Sequence, residues 1–209
     1  MSEASKRGGN KRERILSAAV KTFAKNGFYN AKVSEVASAA GVADGTIYLY
    51  FKNKDDLLIS AFEDRMQMLN DRLRHELEML GGTPLIKLRR CLTLHLLIAV
   101  EAPSLAEFIT VELRQSSKFI KEYDNHQFQE YLRIVVEVIR EGQAQGEIRN
   151  DIDPWIVTRA LFGALDEMLL ALVLRAGDVS HELVEARVEV LQQLFVDGLK
   201  VDKSERKEN

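Results

Sequence analysis

Residues 41–58 read GVADGTIYLYFKNKDDLL and mark the junction between two short predicted helices. Ser34 can cap the first of these helices, and Gly41 can end it. After a three-residue turn, Asp44 is well placed to cap the second helix. The apolar residues of the first helix share one face: Val36, Ala37 and Ala40. Two short helices joined by a tight turn predict a helix-turn-helix.

The second predicted helix, residues 44–51, has an apolar inner face and a mixed outer face. At about 100° per residue, Ile47 and Phe51 point inward together. The other positions are outward or on the flanks: Gly45, Thr46, Tyr48, Leu49, Tyr50 and Lys52. Glycine allows close approach of the backbone, methyl groups can meet a thymine methyl, and hydroxyls can bond to bases or phosphates. The outer face therefore favours a DNA major groove, although the two tyrosines could instead be packing residues of a small helical core.

A long helix is predicted to begin directly after this segment. Asn53, followed three residues later by Asp56, resembles a capping box. Lys54 then lies in the first turn, where the positive end of the helix favours a phosphate.

The run from Lys11 to Leu58, with AAVKTFAKNGFYNAKVSEVASAAGVADGTIYLYFKNKDDLL, closely resembles the N-terminal region of the TetR family of bacterial transcriptional repressors. The resemblance implies a dimer that binds a pseudo-palindromic operator on double-stranded DNA. It also implies DNA contact by Lys54, a cap at Ser34, and an added phosphate contact at Lys32, where many members carry threonine. The resemblance assigns the recognition helix to Asp44, Gly45, Thr46, Tyr48, Leu49 and Tyr50.

The chain of 209 residues carries a net charge of −3 that is unevenly distributed. Residues 1–55 contain ten Lys and Arg against five Asp and Glu, so this part is +5 and the remainder is −8. A basic segment on an acidic body suggests a local polyanion-binding surface, while a basic tail that only aids solubility is the alternative. A single cysteine, no signal-like N-terminus and no long apolar run indicate a cytoplasmic protein.

Helical periodicity dominates the sequence and predicts an all-α protein. A boundary near residue 52 divides it into a helix-turn-helix domain with a basic tail (1–52) and a larger domain for ligand binding and dimerisation (53–209). Both tails, 1–10 and 201–209, are polar enough to be disordered. About nine helices are predicted: 11–26, 34–40, 44–51, 54–80, 84–101, 104–115, 118–145, 154–176 and 180–199.

The helices of the larger domain are rich in apolar residues. Residues 155–175 are apolar on nearly every face, and the last helix repeats apolar residues, so two such helices from each of two chains could form a four-helix interface. The alternative is that they complete the core of one chain. Candidates for an apolar ligand chamber are Phe108, Val111, Phe128, Tyr131, Phe162, Leu165 and Met168, although such residues are more often plain core.

Three further segments resemble the TetR-like regulators of fatty-acid degradation, the FadR group. They are VELRQS at 111–116, EGQAQGEI at 141–148 and ALFGALDEM at 160–168. The resemblance implies release from DNA by long-chain acyl-CoA, held in an apolar tunnel with cations at its mouth. Arg114, within VELRQS, is the first candidate for a polar contact, although it could simply pair with Glu112, Asp166 or Glu167.

Other classes of protein fit less well. The four histidines are scattered, and the chain has no HExxH, paired-cysteine, glycine-rich phosphate or GxSxG motif, so neither an enzyme nor a metal or cofactor site is expected. Cys91 is a weak candidate for a redox sensor. The remaining alternatives are a TetR-type repressor of an efflux or other gene that responds to a different apolar molecule, and an all-α interaction protein without DNA binding.

Overall fold

The structure, a computed structural model, describes residues 3–115 and 125–200, and the side chains of residues 11–113 and 125–200. Within these ranges the chain forms nine α-helices, and its only strand-like pairing is an isolated bridge between Ile148 and Lys200. The predicted all-α class is confirmed.

The helices follow one another with short connections. A 3₁₀ turn, Glu112–Gln115, follows α6, and a π turn (Gln192–Val196) and a 3₁₀ turn (Asp197–Leu199) follow α9. The α-helices are α1 (Glu3–Asn26), α2 (Val33–Ala40), α3 (Asp44–Ile47), α4 (Lys54–Leu80), α5 (Pro84–Glu101), α6 (Pro103–Thr110), α7 (His126–Ala144), α8 (Pro154–Val173) and α9 (His181–Leu191).

Several predicted boundaries were wrong. The first helix begins at Glu3, within the N-terminal tail that was expected to be disordered. The single helix expected over 104–115 is divided, because the chain tightens into a 3₁₀ turn after Thr110. The last helix loses its α-helical hydrogen bonding after Leu191, ahead of the bridge formed by Lys200. Residues 118–124 of the expected helix 118–145 lie outside the described residues.

Prolines and a capping residue set the starts of α5 and α8, which begin at the predicted residues. Pro84 opens α5 and Pro154 opens α8, at positions where a missing N–H costs nothing. The Asp153 side chain accepts hydrogen bonds from the N–H groups of Trp155 (2.8 Å) and Ile156 (3.0 Å), which fixes the first turn of α8.

The chain divides into two compact units, and the division differs from the boundary expected near residue 52. Unit 1 comprises residues 1–67 and 102–126, and unit 2 comprises residues 68–101 and 127–209. Helix α4 runs without a break from unit 1 into unit 2. The functional boundary at residue 52 stays a prediction.

In unit 1, α1 supplies the centre of the core. Ile15, Leu16, Ala19 and Phe23 on α1 are fully buried, at the 3–4 spacing that places them on one face of the helix. Phe23 stacks on Phe108 of α6 with ring centroids 6.3 Å apart. This packing joins α6 to the N-terminal helices, which the sequence had assigned to separate domains.

In unit 2, α5 is the central helix. Its buried residues point in most directions around the helix axis, so other helices cover it on more than one side. Helices α8 and α9 both pack against α5. The buried positions of α5 include Leu88, Cys91, Leu92, His95, Leu96 and Ala99.

No single helix among the described residues is long and apolar enough to span a membrane. Only the bent pair Pro84–Glu101 and Pro103–Thr110, taken together, passes by length and composition.

Candidate nucleic-acid interface and aromatic cluster

The α2–α3 turn is held by a contact from α1. Gly41 has φ 64° and ψ 45°, the left-handed conformation that closes a helix. The Arg14 guanidinium donates to the carbonyl oxygens of Ala40 and Gly41 at the end of α2. Arg14 therefore caps the helix that precedes the turn, a role that sequence reasoning missed because the two segments are 26 residues apart.

The predicted inner face of the second helix is confirmed. Ile47 and Phe51 are 1% and 2% exposed, so both belong to the core of unit 1. Helix α3 itself is shorter than predicted: after Ile47 the chain continues in tight turns, with Leu49 N–H bonded to Thr46 O (3.2 Å) and Tyr50 N–H to Ile47 O (3.0 Å).

The outer face, which we call the recognition surface, is Asp44, Gly45, Thr46, Tyr48, Leu49 and Tyr50. Tyr48 is 59% exposed and Leu49 is 81% exposed. Asp44 and Gly45 are also exposed, while Thr46 and Tyr50 are partly buried. A large apolar side chain left in solvent beside a tyrosine marks a surface that meets a partner. This placement fits the predicted groove-facing side and does not fit tyrosines packed in a core.

Two predicted caps were wrong. Helix α2 begins at Val33, because the Glu35 carboxylate reaches back to accept from Lys32 N–H (2.8 Å), so Ser34 lies exposed within the first turn. The same contact and the Asn26 amide lower the pKa of Glu35. Asp44 lies inside α3, whose N-cap is Ala43, without a side-chain cap.

The start of α4 was predicted in part. Asn53 Oδ1 accepts from Asp56 N–H (2.8 Å), while the Asp56 carboxylate accepts from Lys52 N–H (2.7 Å) and not from Asn53. Lys54 Nζ donates to Tyr29 O (3.0 Å) and lies 4.7 Å from the centre of the Phe28 ring. Partial burial lowers the pKa of Lys54. Lys54 therefore ties α4 to the α1–α2 loop, with two remaining donors for a phosphate.

Glu112 is a second structural contact that the sequence did not indicate. The side chain is 4% exposed, and its Oε2 accepts a hydrogen bond from Phe28 N–H, 84 residues away in the chain. Glu112 thus connects the 3₁₀ turn after α6 to the α1–α2 loop, within unit 1.

The two glycines of the turn provide a matched test of this arrangement. In Gly41→Ala, the added Cβ would lie 2.7 Å from Arg14 Nη2 in a left-handed backbone, whereas at Gly45 no atom lies within 4 Å. We expect Gly41→Ala to lower the free energy of unfolding by about 2 kcal/mol. Gly45→Ala should leave stability unchanged and alter DNA binding. Urea unfolding of both variants checks this, and equal stabilities would contradict the role given to Arg14.

In unit 2, three of the predicted chamber residues come together around a histidine. We call this set, His95, Phe128, Tyr131 and Phe162, the aromatic cluster. Phe162 meets Phe128 edge-on at 4.8 Å and Tyr131 at 6.1 Å between ring centroids. His95 Nδ1 lies 2.9 Å from Tyr131 Oη. His95 was not predicted, because its partner on α7 is 36 residues away.

The other predicted chamber residues lie elsewhere. Leu165 and Met168 are on α8, buried and partly buried. Phe108 and Val111 belong to unit 1, where Phe108 packs against Phe23. The side chain of Arg114 lies outside the described residues. Three other arginines that could bind phosphates of an effector are engaged in ion pairs: Arg89 with Glu185 and Glu189, Arg90 with Glu76, and Arg133 with Glu130.

Burial controls the ionisation of the cluster. It lowers the pKa of His95 from 6.5 to about 4, so the ring is neutral near pH 7. It also raises the pKa of Tyr131 and raises the pKa of the neighbouring Cys91 thiol to about 12. A buried, protonated thiol is unreactive, which argues against a redox role for Cys91.

Protonation of His95 at low pH should lower the free energy of unfolding. Because the folded-state pKa lies below the unfolded value, the unfolded chain binds the proton more tightly and stability rises with pH between about 4 and 6.5. The contribution of neutral His95 to the free energy of unfolding is complete above pH 6.5, and about 3 kcal/mol of it is lost by pH 4. Urea unfolding of the wild type and His95→Phe at pH 7 and pH 4 measures this. An equal loss in both proteins would contradict the assignment.

Helix α8 carries an exposed stripe of mainly small and apolar residues. These residues lie within about 80° of one another at 100° per residue. Ile156 is 71% exposed and Leu174 is 70% exposed, and on the last part of the chain Leu194 is 68% exposed. A Cβ added at Gly163 would meet nothing within 4 Å. The exposed stripe is Ile156, Ala160, Gly163, Glu167, Ala171 and Leu174.

The described residues contain no group of His, Cys, Asp or Glu side chains suited to hold a metal ion. The geometry instead presents an exposed recognition surface in unit 1 and an aromatic cluster in unit 2.

A helix-turn-helix with an exposed recognition surface is typical of bacterial DNA-binding regulators. Residues 15–61 match the family described as bacterial regulatory proteins, tetR family, and residues 62–198 match the C-terminal region of YsiA-like protein. The chain belongs to the TetR family of bacterial regulators. The predicted resemblance is confirmed.

Within this family, the chain is similar over most of its length to regulators of fatty acid metabolism. The chain is 36% identical to the fatty acid metabolism regulator protein of Bacillus subtilis strain 168, over 88% of this chain and 93% of that protein. The crystal structure of FadR from Bacillus subtilis in complex with stearoyl-CoA matches with a TM-score of 0.77 at 34% identity, covering 86% of this chain and 96% of that one. The fatty acid degradation regulator FadR of Bacillus halodurans matches with a TM-score of 0.80 at 33% identity, covering 90% and 99%.

Proposed function

We propose that this protein is a cytoplasmic, dimeric transcriptional repressor that binds an operator and is released from it by long-chain acyl-CoA. One observation carries the DNA-binding part: Tyr48 and Leu49 are exposed on a turn whose inner residues, Ile47 and Phe51, are fixed in a core. The similarity to a regulator of fatty acid metabolism, and to a FadR structure with stearoyl-CoA, supports the effector.

The recognition surface supplies the groups that a major groove requires. Gly45 lets the backbone approach the bases, Leu49 and the Thr46 methyl can meet thymine methyls, and the hydroxyls can bond to bases or phosphates. Lys32 and Ser34 are exposed at the start of α2 and are proposed to contact the phosphates, together with Lys54.

Dimerisation is proposed through α8 and α9. Small residues on the exposed stripe would let a helix of a second copy approach closely, and Val190 and Leu194 would add apolar area. Two such helices from each copy form a four-helix interface. In a dimer the two recognition surfaces occupy successive major grooves, about 34–36 Å apart.

The effector would be held by the apolar residues of α7 and α8. Each buried CH₂ of an acyl chain contributes about 0.8 kcal/mol, so a long chain provides ample affinity. The proposed contacts are the predicted chamber residues that lie in unit 2: Phe128, Tyr131, Phe162, Leu165 and Met168.

Release requires that the effector bind the free conformation better than the DNA-bound one. Two structural features support such coupling. Glu112, two residues before Arg114, is bonded to Phe28 at the α1–α2 loop. Helix α4, which begins beside the recognition surface, continues into unit 2 as an unbroken helix.

The test is operator binding with and without the effector. Fluorescence anisotropy with DNA from upstream of the protein's own gene should show an affinity that falls about tenfold or more with palmitoyl-CoA and stays constant with free coenzyme A. Unchanged affinity would contradict the acyl-CoA effector and favour a different apolar molecule. Failure to bind any DNA at low salt would favour an interaction protein.

A further inference from the structure

His95 carries a buried nitrogen that none of the described residues hydrogen-bonds. The side chain is 7% exposed and its Nδ1 is hydrogen-bonded to Tyr131 Oη, while its Nε2 has no partner within residues 11–113 and 125–200. Native proteins keep few buried polar atoms in this state, because each loses its bonds to water without replacement. A buried polar atom of this kind therefore points to a ligand, or another group, that forms the missing hydrogen bond.

The hydrogen bond to Tyr131 indicates which tautomer is present. The ring is neutral near pH 7, so only one nitrogen carries a proton. If Nδ1–H donated to Tyr131, both the tyrosine proton and Nε2 would lack a partner. If Tyr131 donates to Nδ1, only Nε2–H is left without one. The second arrangement satisfies more groups, and it makes Nε2–H a free donor.

The surroundings of this donor are apolar but not fully closed. Phe162 stands edge-on to the His95 ring at 5.8 Å, and Phe128 packs against Phe162. Both phenylalanines are only partly buried. One helical turn before Phe162, Thr158 is 1% exposed, and its Oγ1 has no hydrogen-bond partner among the described residues. The His95 nitrogen thus lies close to the partly exposed ring of Phe162, and the Thr158 hydroxyl lies on the same helix as that ring.

We propose that His95 Nε2–H donates a hydrogen bond to the thioester carbonyl oxygen of the acyl-CoA effector, with Phe128 and Phe162 packing against the adjoining acyl carbons. This rests on the function proposed above. A single neutral donor among aromatic rings suits an uncharged acceptor, whereas a phosphate or a carboxylate requires compensating cations. The cluster would therefore prefer a thioester to the corresponding free fatty acid.

The test compares two probes that differ at the carbonyl. Palmitoyl-CoA has the thioester, and S-hexadecyl-coenzyme A has a CH₂ in place of the C=O. By titration calorimetry, we expect the full-length wild type to bind the thioester about tenfold more tightly than the thioether. His95→Phe should reduce this ratio to near one. His95→Gln, whose amide N–H can replace Nε2–H, should restore part of the preference.

Nuclear magnetic resonance of the wild type tests the same hydrogen bond without relying on variants that fail to fold. With ¹⁵N-labelled histidine, the His95 Nε2 resonance should be that of a protonated nitrogen and should shift with palmitoyl-CoA but not with the thioether. A thioester preference equal in wild type and His95→Phe, or an Nε2 resonance unaffected by palmitoyl-CoA, would overturn the inference while leaving an acyl-CoA effector in place. Binding of neither probe would overturn the proposed effector and this inference together.

Discussion

Tyr48→Ala is expected to weaken operator binding about a hundredfold. A side chain that meets a base or phosphate contributes about 1–3 kcal/mol, and a dimer uses it twice, once in each half-site. Tyr48 is 59% exposed in the protein, so its removal should not disturb the core formed by Ile47 and Phe51. Fluorescence anisotropy with operator DNA measures the affinity, and urea unfolding checks that the fold is retained.

Met79→Ala is the matched control for this prediction. Met79 is also a large exposed side chain, 74% accessible, but it lies near the end of α4, remote in sequence from the recognition surface. Its removal should leave operator affinity unchanged. Equal affinity of the wild type and Tyr48→Ala would show that the exposed tyrosine has another purpose.

Gly163→Gln is expected to convert the dimer into a monomer. No atom in the described part of the chain lies within 4 Å of a Cβ at position 163, and glutamine is a better helix former than glycine, so the protomer should be as stable or more stable. A long side chain on the exposed stripe would nevertheless keep a second helix from approaching. A monomer binds one half-site at a time, and operator affinity should therefore fall by about 10²–10⁴.

Light scattering after size exclusion distinguishes the two states, since one chain has a mass of 23.7 kDa. Ala144→Gln is the control. It enlarges an exposed small residue on a different helix, α7, and this variant should stay dimeric. A dimeric Gly163→Gln with full operator affinity would place the interface elsewhere.

Local sequence patterns predicted local structure well. The inward positions of Ile47 and Phe51 followed from helical periodicity, and the cap at Asn53 followed from its spacing to Asp56. The cap of α2 was wrongly assigned to Ser34, because the contact of the Glu35 carboxylate with Lys32 N–H starts the helix earlier, at Val33. Choices of this kind depend on fractions of a helical turn, which periodicity does not resolve.

Contacts between distant segments were beyond prediction. Arg14 with Gly41, Glu112 with Phe28, and His95 with Tyr131 depend on how helices pack, and no spacing within the sequence relates the partners. The candidate chamber was accordingly predicted in fragments: its aromatic residues were named, while the histidine at their centre was not.

The side-chain hydrogen bonds that hold the DNA-facing region in place are accepted largely by main-chain carbonyl oxygens. Arg14 donates to the carbonyls of Ala40 and Gly41, and Lys54 donates to the carbonyl of Tyr29. A carbonyl is present whatever side chain its residue carries, so, apart from Gly41 with its left-handed backbone, the scaffold makes little demand on the neighbouring side chains. Positions such as Tyr48 and Leu49 are thus free to change between descendants of the protein. A few substitutions at these positions could therefore change which operators the protein binds, and so which genes it regulates, while the scaffold that holds these positions is kept.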